Sequence, residues 1–357
     1  MFKLKQNEQE ARERLRAFWH GKSIGRPAVA AVAKNNAYEW QKWEGSPLTQ
    51  TQCDLNPDWY AHAHRNDLFS KIYLGEAMPS VTISYGSLLV LLAVLAGGDY
   101  EYDSYSAWIR PLDGVLNTRV PKFDPECDTV KKLEKCYDRL TGIVGDNGFI
   151  SPPVLLDPLT TLSMLHTPEN LCVSILEEPE KVKRWSYDAT TLYMDCYEHF
   201  YRYLGELGYT DTTTWLRSMS ESRTEAVQCD FSVMLSPEMF REFVVPDMRR
   251  ITSYMDRSIW HHDGEEQFRF IEMIAALPKL RAVQWVFYIK NEHPSKHIEC
   301  FKRIKDLGLS LYAGVRSLDE AVYLTKALGS DGLMLELPMF ESEKDALAAI
   351  SSIENAV

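Results

Sequence analysis

At 357 residues, 45% hydrophobic and 25% charged, the chain has the material for one large globular domain and is too apolar to be disordered. Its formal net charge of −12 excludes nucleic acid and anionic membrane as natural partners, since both carry the same sign. Seven cysteines, an odd number with no C-x-x-C, read as reduced thiols and supply no thiolate cluster for zinc or iron–sulfur.

The chain opens on MFKLKQNEQEARERLRAFW, a charged helical stretch without the apolar core or small-residue cleavage site of a signal peptide. Its longest apolar run, Leu88 to Ala96, is too short to cross a bilayer. A cytoplasmic protein acting on a small molecule is expected, with no nucleic-acid or membrane partner. The small and β-branched run RPAVAAVA from Arg26 predicts a first strand suited to a crowded interior. Residues 35–140 show no clean period and are expected to form a helical and loop insertion. His62 and His64 fall in a helix there, do not share a face, and are expected at the surface. Residues 180–207 predict one long helix whose Trp185, Tyr187, Tyr193, Tyr197 and Tyr201 are packing aromatics.

The second half alternates. Strands are predicted at 213–216, 226–233, 258–262, 282–286, 310–315 and 332–337, and helices at 237–255, 265–277, 294–307, 317–328 and 341–354. Gly308 and Gly329 stop two of the helices. This pattern predicts a parallel α/β sheet or barrel, as a single domain over residues 1–357, with ligands at the C-terminal ends of the strands.

The clearest chemistry follows the helix that begins at Ser236, with its hydroxyl at the N-cap, Pro237 at the first helical position and Glu238 in the first turn. The next strand closes on His261, His262, Asp263 and Gly264. His261 and Asp263 are two apart, so they share a face and could chelate a divalent metal or hydrogen-bond each other. Asp230, among Val227, Phe231 and Val233, ends another strand; it is a candidate general acid or base, or a capping residue. Arg316 opens a helix where a substrate carboxylate could be held, or pairs with Asp319 or Glu320. Gln284 and Trp285 end a strand, Trp285 offering a face to a flat or methylated ligand or else filling the core, and Tyr85 with Gly86 could line the mouth. Cys229 reads as a small buried hydrophobe. No P-loop, G-x-G-x-x-G or G-x-S-x-G occurs.

The string SPEMFREFVVP, together with WIRPLDG, LDPL, EEPEKVKRW, LRAVQWV and DGLMLEL, resembles the uroporphyrinogen decarboxylase-like superfamily. That superfamily includes the decarboxylase and the zinc methyltransferases that serve corrinoid proteins. The arginine-rich N-terminal signature of the decarboxylase is missing, so the resemblance is to a divergent branch. It implies a (β/α)8 TIM barrel with N-terminal helical elaborations and an acidic residue near Asp230 pointing into the cleft. In the methyltransferase branch, H-x-C-G supplies zinc ligands and a further cysteine lies near the last strand. Here His261 and Gly264 are kept, Asp263 stands in the cysteine's place, and the last strand offers Glu336 and Met339. The implied site is His261, Asp263 and Glu336, a harder oxygen-rich zinc set better suited to polarising an oxygen or amine than to activating a thiol.

Three functions follow. The first is methyl transfer from a small methylated substrate to a corrinoid carried by a partner protein, with Asp230, His261 and Asp263 as catalytic residues. The second is decarboxylation of uroporphyrinogen, for which the scattered Arg110, Arg217, Arg223 and Arg316 are few basic groups. The third is a non-catalytic small-molecule-binding barrel.

Overall fold

The computed structural model describes residues 1–54, 56–83, 90–102, 107–286 and 293–357, and the statements below concern these. The expected site residue Tyr85, with Gly86, lies outside them. The chain begins with α1 (Glu8–Trp19), which buries Ala11, Leu15, Phe18 and Trp19 at helical spacing, together with Glu8, which pairs with Arg12. It leads into β1 (Ala28–Lys34), in which all but the last residue are buried. Next come α2 (Gln50–Cys53), α3 (Pro57–Phe69), β2 (Lys71–Gly75), β3 (Ser80–Thr82), α4 (Leu91–Leu95), β4 (Asp99–Tyr102) and β5 (Ala107–Arg110). α5 (Asp128–Val144), β6 (Phe149–Ser151), α6 (Pro158–His166), α7 (Pro168–Glu177) and the 28-residue α8 (Pro179–Glu206) close the first half.

Residues 35–140 therefore hold four strands as well as the expected helices. They escape a periodicity reading for physical reasons. β3 is three residues long, and β4 and β5 form an antiparallel pair whose Asp99, Glu101 and Arg110 face solvent and neutralise one another. His64 is not a free surface group either: it is half-buried against Tyr60, and burial pulls its pKa down to about 4.

The second half runs β7 (Thr224–Val227), α9 (Pro237–Phe243), α10 (Val245–Tyr254), β8 (Arg257–His262), α11 (Ile271–Ala275), β9 (Leu280–Trp285), α12 (Ile298–Asp306), β10 (Ser310–Gly314), α13 (Leu318–Leu328), β11 (Leu333–Glu336) and α14 (Glu343–Glu354). The single helix expected over 237–255 is two, because Pro246 has no N–H to donate and its ring crowds the preceding turn. Ser236 caps α9 as read, accepting from the Met239 amide at 3.2 Å. Residues 213–216 are not a strand. Thr212 and Ser220 make one isolated bridge, while the Thr213 hydroxyl donates to the Leu216 carbonyl and the Leu216 amide to the Thr214 hydroxyl, local bonds that compete with a ladder.

Among the described residues, seven strands form one sheet in the order β2-β1-β11-β10-β9-β8-β7. Every pair is parallel except β1 with the edge strand β2. β3 and β6 form a separate parallel pair. Ser151 at the end of β6 donates from Oγ to the Thr213 carbonyl at 2.6 Å and accepts from the Thr213 amide at 2.9 Å, which ties that pair to the segment ahead of β7. Closure of the sheet into the expected barrel is not seen in this pairing. All seven cysteines are free thiols, and no described helix is long and apolar enough to cross a membrane.

Glu76, fully buried after β2, fastens the start of β1. It accepts from Arg26 at 2.6 and 3.0 Å and from the Val29 amide at 2.6 Å. Glu76→Ala strands a buried guanidinium and an amide, and should lower the unfolding free energy by about 3–5 kcal/mol in urea denaturation. A loss below about 1 kcal/mol would show that water replaces the carboxylate there.

Candidate functional site

The parallel register sets one level of side chains across the sheet. His261 on β8 lies opposite Gln284 on β9, Gln284 opposite Tyr312 on β10, and Tyr312 opposite Met334 on β11. Paired residues of parallel strands point to the same face, so His261, Gln284 and Tyr312 share one side, and Glu336 stands one level nearer the C-terminal ends. The Nδ1 of His261 is bonded to Gln284 Oε1. With Gln284 accepting, Nδ1 carries the hydrogen of that bond. The Trp215 ring meets the His261 imidazole edge-on, with centroids 5.4 Å apart.

The segment before β7 supplies two residues: Trp215, expected in a strand and not as a site residue, and Arg217, considered only as one of the scattered basic groups for a polycarboxylate. Arg217 donates from Nε to Glu336 Oε1 at 3.1 Å and from its amide to the Tyr312 hydroxyl at 3.1 Å, and Tyr312 donates to the other oxygen of Glu336. Above this clasp opens a cavity of about 340 Å³ lined by Trp215, Gln284, Val315, Arg316, Glu336 and Pro338. It is of small-molecule size and lies at the C-terminal ends of β9, β10 and β11. Arg316 reaches it and also makes the expected pairing with Glu320, Nε at 3.0 Å.

Trp285 is a correction. As the neighbour of Gln284 in an extended strand, it points to the opposite face, where it is 1% exposed, stacks on His262 at 4.3 Å and meets the edge of Phe301 at 5.2 Å. It packs the sheet against its helices, and Trp215 is the aromatic residue that borders the cavity.

Asp230 opens a short 3-10 turn after β7, and Asp263 follows β8. Gln267 holds these two ends together: its Oε1 accepts from the Asp263 amide at 3.2 Å and its Nε2 donates to the Cys229 carbonyl at 3.1 Å. Gly264 turns the chain at a φ of 93°, a conformation that side-chain-bearing residues rarely adopt. Asp230 Oδ1 is enclosed without a hydrogen-bond partner. Burial pushes the Asp230 pKa up, the charge of His261 works against that rise and the charge of Asp263 adds to it. A carboxyl so placed keeps its proton to higher pH than an exposed aspartate, which is the direction a general acid needs.

The expected zinc set is not assembled. Glu336 has both oxygens engaged by Arg217 and Tyr312, and His261 uses one ring nitrogen on Gln284. No group of three or more His, Cys, Asp and Glu side chains among the described residues is placed to hold a metal ion. The donors His261, Asp263 and Glu336 therefore do not fit a three-ligand centre.

His262, on the face opposite His261, is fully buried. Burial, with a smaller push from the charge of His261, holds its pKa at about 3, down from an ordinary 6.5. It is neutral in the fold but takes a proton in the unfolded chain below pH 6.5. Its contribution to stability is thus complete above that pH and is lost as pH falls toward about 3. His262→Gln should shrink the drop in urea-unfolding free energy between about pH 7 and about pH 4.5. An undiminished drop would place the acid sensitivity elsewhere.

The fold is similar to that of a methyltransferase from Methanosarcina mazei, with a TM-score of 0.63 and 14% sequence identity over 97% of this chain and 98% of that one. No protein-family model matches the chain, and no curated protein matches it.

Proposed function

We propose that the chain is a methyltransferase of the uroporphyrinogen decarboxylase-like superfamily, taking a methyl group from a small methylated compound bound in the cavity over β9, β10 and β11. The carrying observation is that the full-length likeness to a methyltransferase coincides with a proton-handling cluster at the C-terminal strand ends. We read the sheet, with β3 and β6 between β1 and β7, as a (β/α)8 barrel forming a single domain. The methyl acceptor in this reading is a corrinoid on a partner protein.

The chemistry asked of this chain is modest. When the bond between the methyl carbon and its heteroatom breaks, the electron pair stays on the heteroatom, and that atom needs a proton as it leaves. A protonated Asp230 supplies it. His261, with Nδ1 committed to Gln284, presents Nε2 toward the substrate side, and Trp215 gives an apolar wall to the methyl group.

Decarboxylation of a polycarboxylate substrate finds less support. Arg110 is paired with Asp99 and Glu101, Arg217 with Glu336, Arg223 with Glu198, and Arg316 with Glu320. Each candidate cation is already neutralised by a carboxylate of the protein.

The test is a panel of small methylated amines, ethers and thioethers with a reduced corrinoid as acceptor, following loss of the donor. Turnover of at least one donor is expected, with Asp230→Asn lowering it by about 10²-fold or more at unchanged circular dichroism. Full activity in that variant, or no transfer from any class, would overturn the reading. Trp215→Ala is expected to raise KM by about 10-fold with kcat nearly kept, since it removes binding surface and no proton-handling group. An unchanged KM would remove Trp215 from the substrate wall.

A further inference from the structure

α3 and α5 pack against each other, and the segment ahead of α2 runs beside them to leave a groove of about 510 Å³. Its lining includes Trp43, Asp58, His62, Arg65, Arg139 and Gly142, and it shares no residue with the cavity over β9, β10 and β11. A groove of this size takes a small molecule.

The segment over 38–46 has no regular structure, and its backbone is held from α3. Asn66, 1% exposed, pairs with Gln41 through both side-chain atoms: Oδ1 accepts from the Gln41 amide at 3.0 Å and Nδ2 donates to its carbonyl at 2.8 Å. A neighbouring strand would satisfy that backbone in the same way. The same Nδ2 donates to His62 Nε2 at 3.3 Å. Trp43 is fixed in turn. Its indole Nε1 donates to the Ser46 carbonyl at 3.0 Å, and its ring meets those of Trp59 and His62 edge-on, each with centroids 5.4 Å apart. A Cβ on Gly45 would fall 2.2 Å from the Trp43 ring, so only glycine lets the indole lie there. An aromatic wall held in place beforehand costs little ordering when a ligand arrives.

Charge decides what that ligand is. Arg139 donates from Nε to Asp58 at 2.8 Å, so those two offset each other. Arg65 is half-buried and has no hydrogen bond or ion pair to any described residue, whereas Arg26, Arg217 and Arg316 each meet a carboxylate. Its guanidinium is the surplus positive charge of the groove, in a chain of net charge −12. Such a fork of donors matches a carboxylate or a phosphate, to which it gives two parallel bonds. Gly142 completes the shape. It lies within α5, where a glycine weakens the helix, and a Cβ there would meet nothing within 4 Å.

We propose that this groove binds a small planar aromatic anion, with its ring against Trp43 and its carboxylate or phosphate on Arg65. An aromatic cation would gain from the indole face but would meet Arg65 and Arg139, so charge selects against it.

Calorimetric titration of the full-length protein tests this. The probes are indole-3-acetate and adenosine monophosphate as aromatic anions, cyclohexylacetate as an anion without an aromatic ring, and tryptamine as an aromatic cation. At least one aromatic anion should bind with a Kd below about 1 mM, and the two controls at least about 10-fold more weakly. Binding of indole-3-acetate alone would name a carboxylate ligand, and of adenosine monophosphate alone a phosphate one. Arg65→Gln should weaken binding by about 10-fold or more at unchanged circular dichroism. Gly142→Leu, which fills the groove and leaves Trp43 and Arg65 in place, should abolish it, and decides the location if Arg65→Gln does not fold. No binding of either aromatic anion, tryptamine binding as tightly as they do, or an affinity unchanged in either variant overturns the site. None of these readings involves methyl transfer, so they stand whether or not that activity is found.

Discussion

Arg217 crosses from the segment ahead of β7 to Glu336 at the end of β11, and the site depends on that crossing. Without it, the loop bearing Trp215 would have no charged anchor on the sheet, and Glu336 would keep only the Tyr312 hydroxyl as a partner, with its charge uncompensated. With it, the segment is fixed at its guanidinium end by Glu336 and at its Thr213 end by Ser151. The cavity wall is thereby built from parts of the chain more than a hundred residues apart. One half-buried cation thus selects between two uses of Glu336, as the partner of Arg217 or as a donor to a metal, and the geometry takes the first.

The rest of the site is a consequence of strand register. A parallel ladder aligns His261, Gln284 and Tyr312 on one face, and the same alternation sends His262 and Trp285 to the other. The two faces do different work. The His262 and Trp285 stack fills the layer between sheet and helices, while the other face carries polar groups that bond in pairs, His261 with Gln284, and Tyr312 and Arg217 with Glu336. Buried polar atoms without a partner, Asp230 Oδ1 among them, are unusual in a well-packed protein.

The second half of the fold was legible because each strand there is a buried apolar run bounded by an amphipathic helix, so β8 to β11 and α12 to α14 fall within a few residues of expectation. Residues 35–140 were opaque because β4 and β5 carry charge on their exposed positions and β3 is too short to show a period. Thr213–Leu216 looked like a strand because threonine and tryptophan favour extended backbone, yet the threonine hydroxyls satisfy the backbone locally. At the site, spacing alone put His261 and Asp263 together. It could not say which of Gln284 and Trp285 shares their face, since that depends on inter-strand register. Asp157 entered the sequence reading only as part of the LDPL string; in the fold it caps α6 with one oxygen.

The central claim is that substrate chemistry takes place where Trp215, Gln284 and Glu336 meet at the strand ends. The most direct measurement is nuclear magnetic resonance of the protein, labelled on its indole N–H groups, titrated with a panel of small methylated amines, ethers and thioethers. The account predicts that at least one compound shifts the Trp215 signal in a saturable way while the enclosed Trp260 and Trp285 stay still. Saturable shifts confined to Trp43, which lines a separate groove with Asp58, His62 and Arg65 of α3, with Trp215 unmoved, would contradict it.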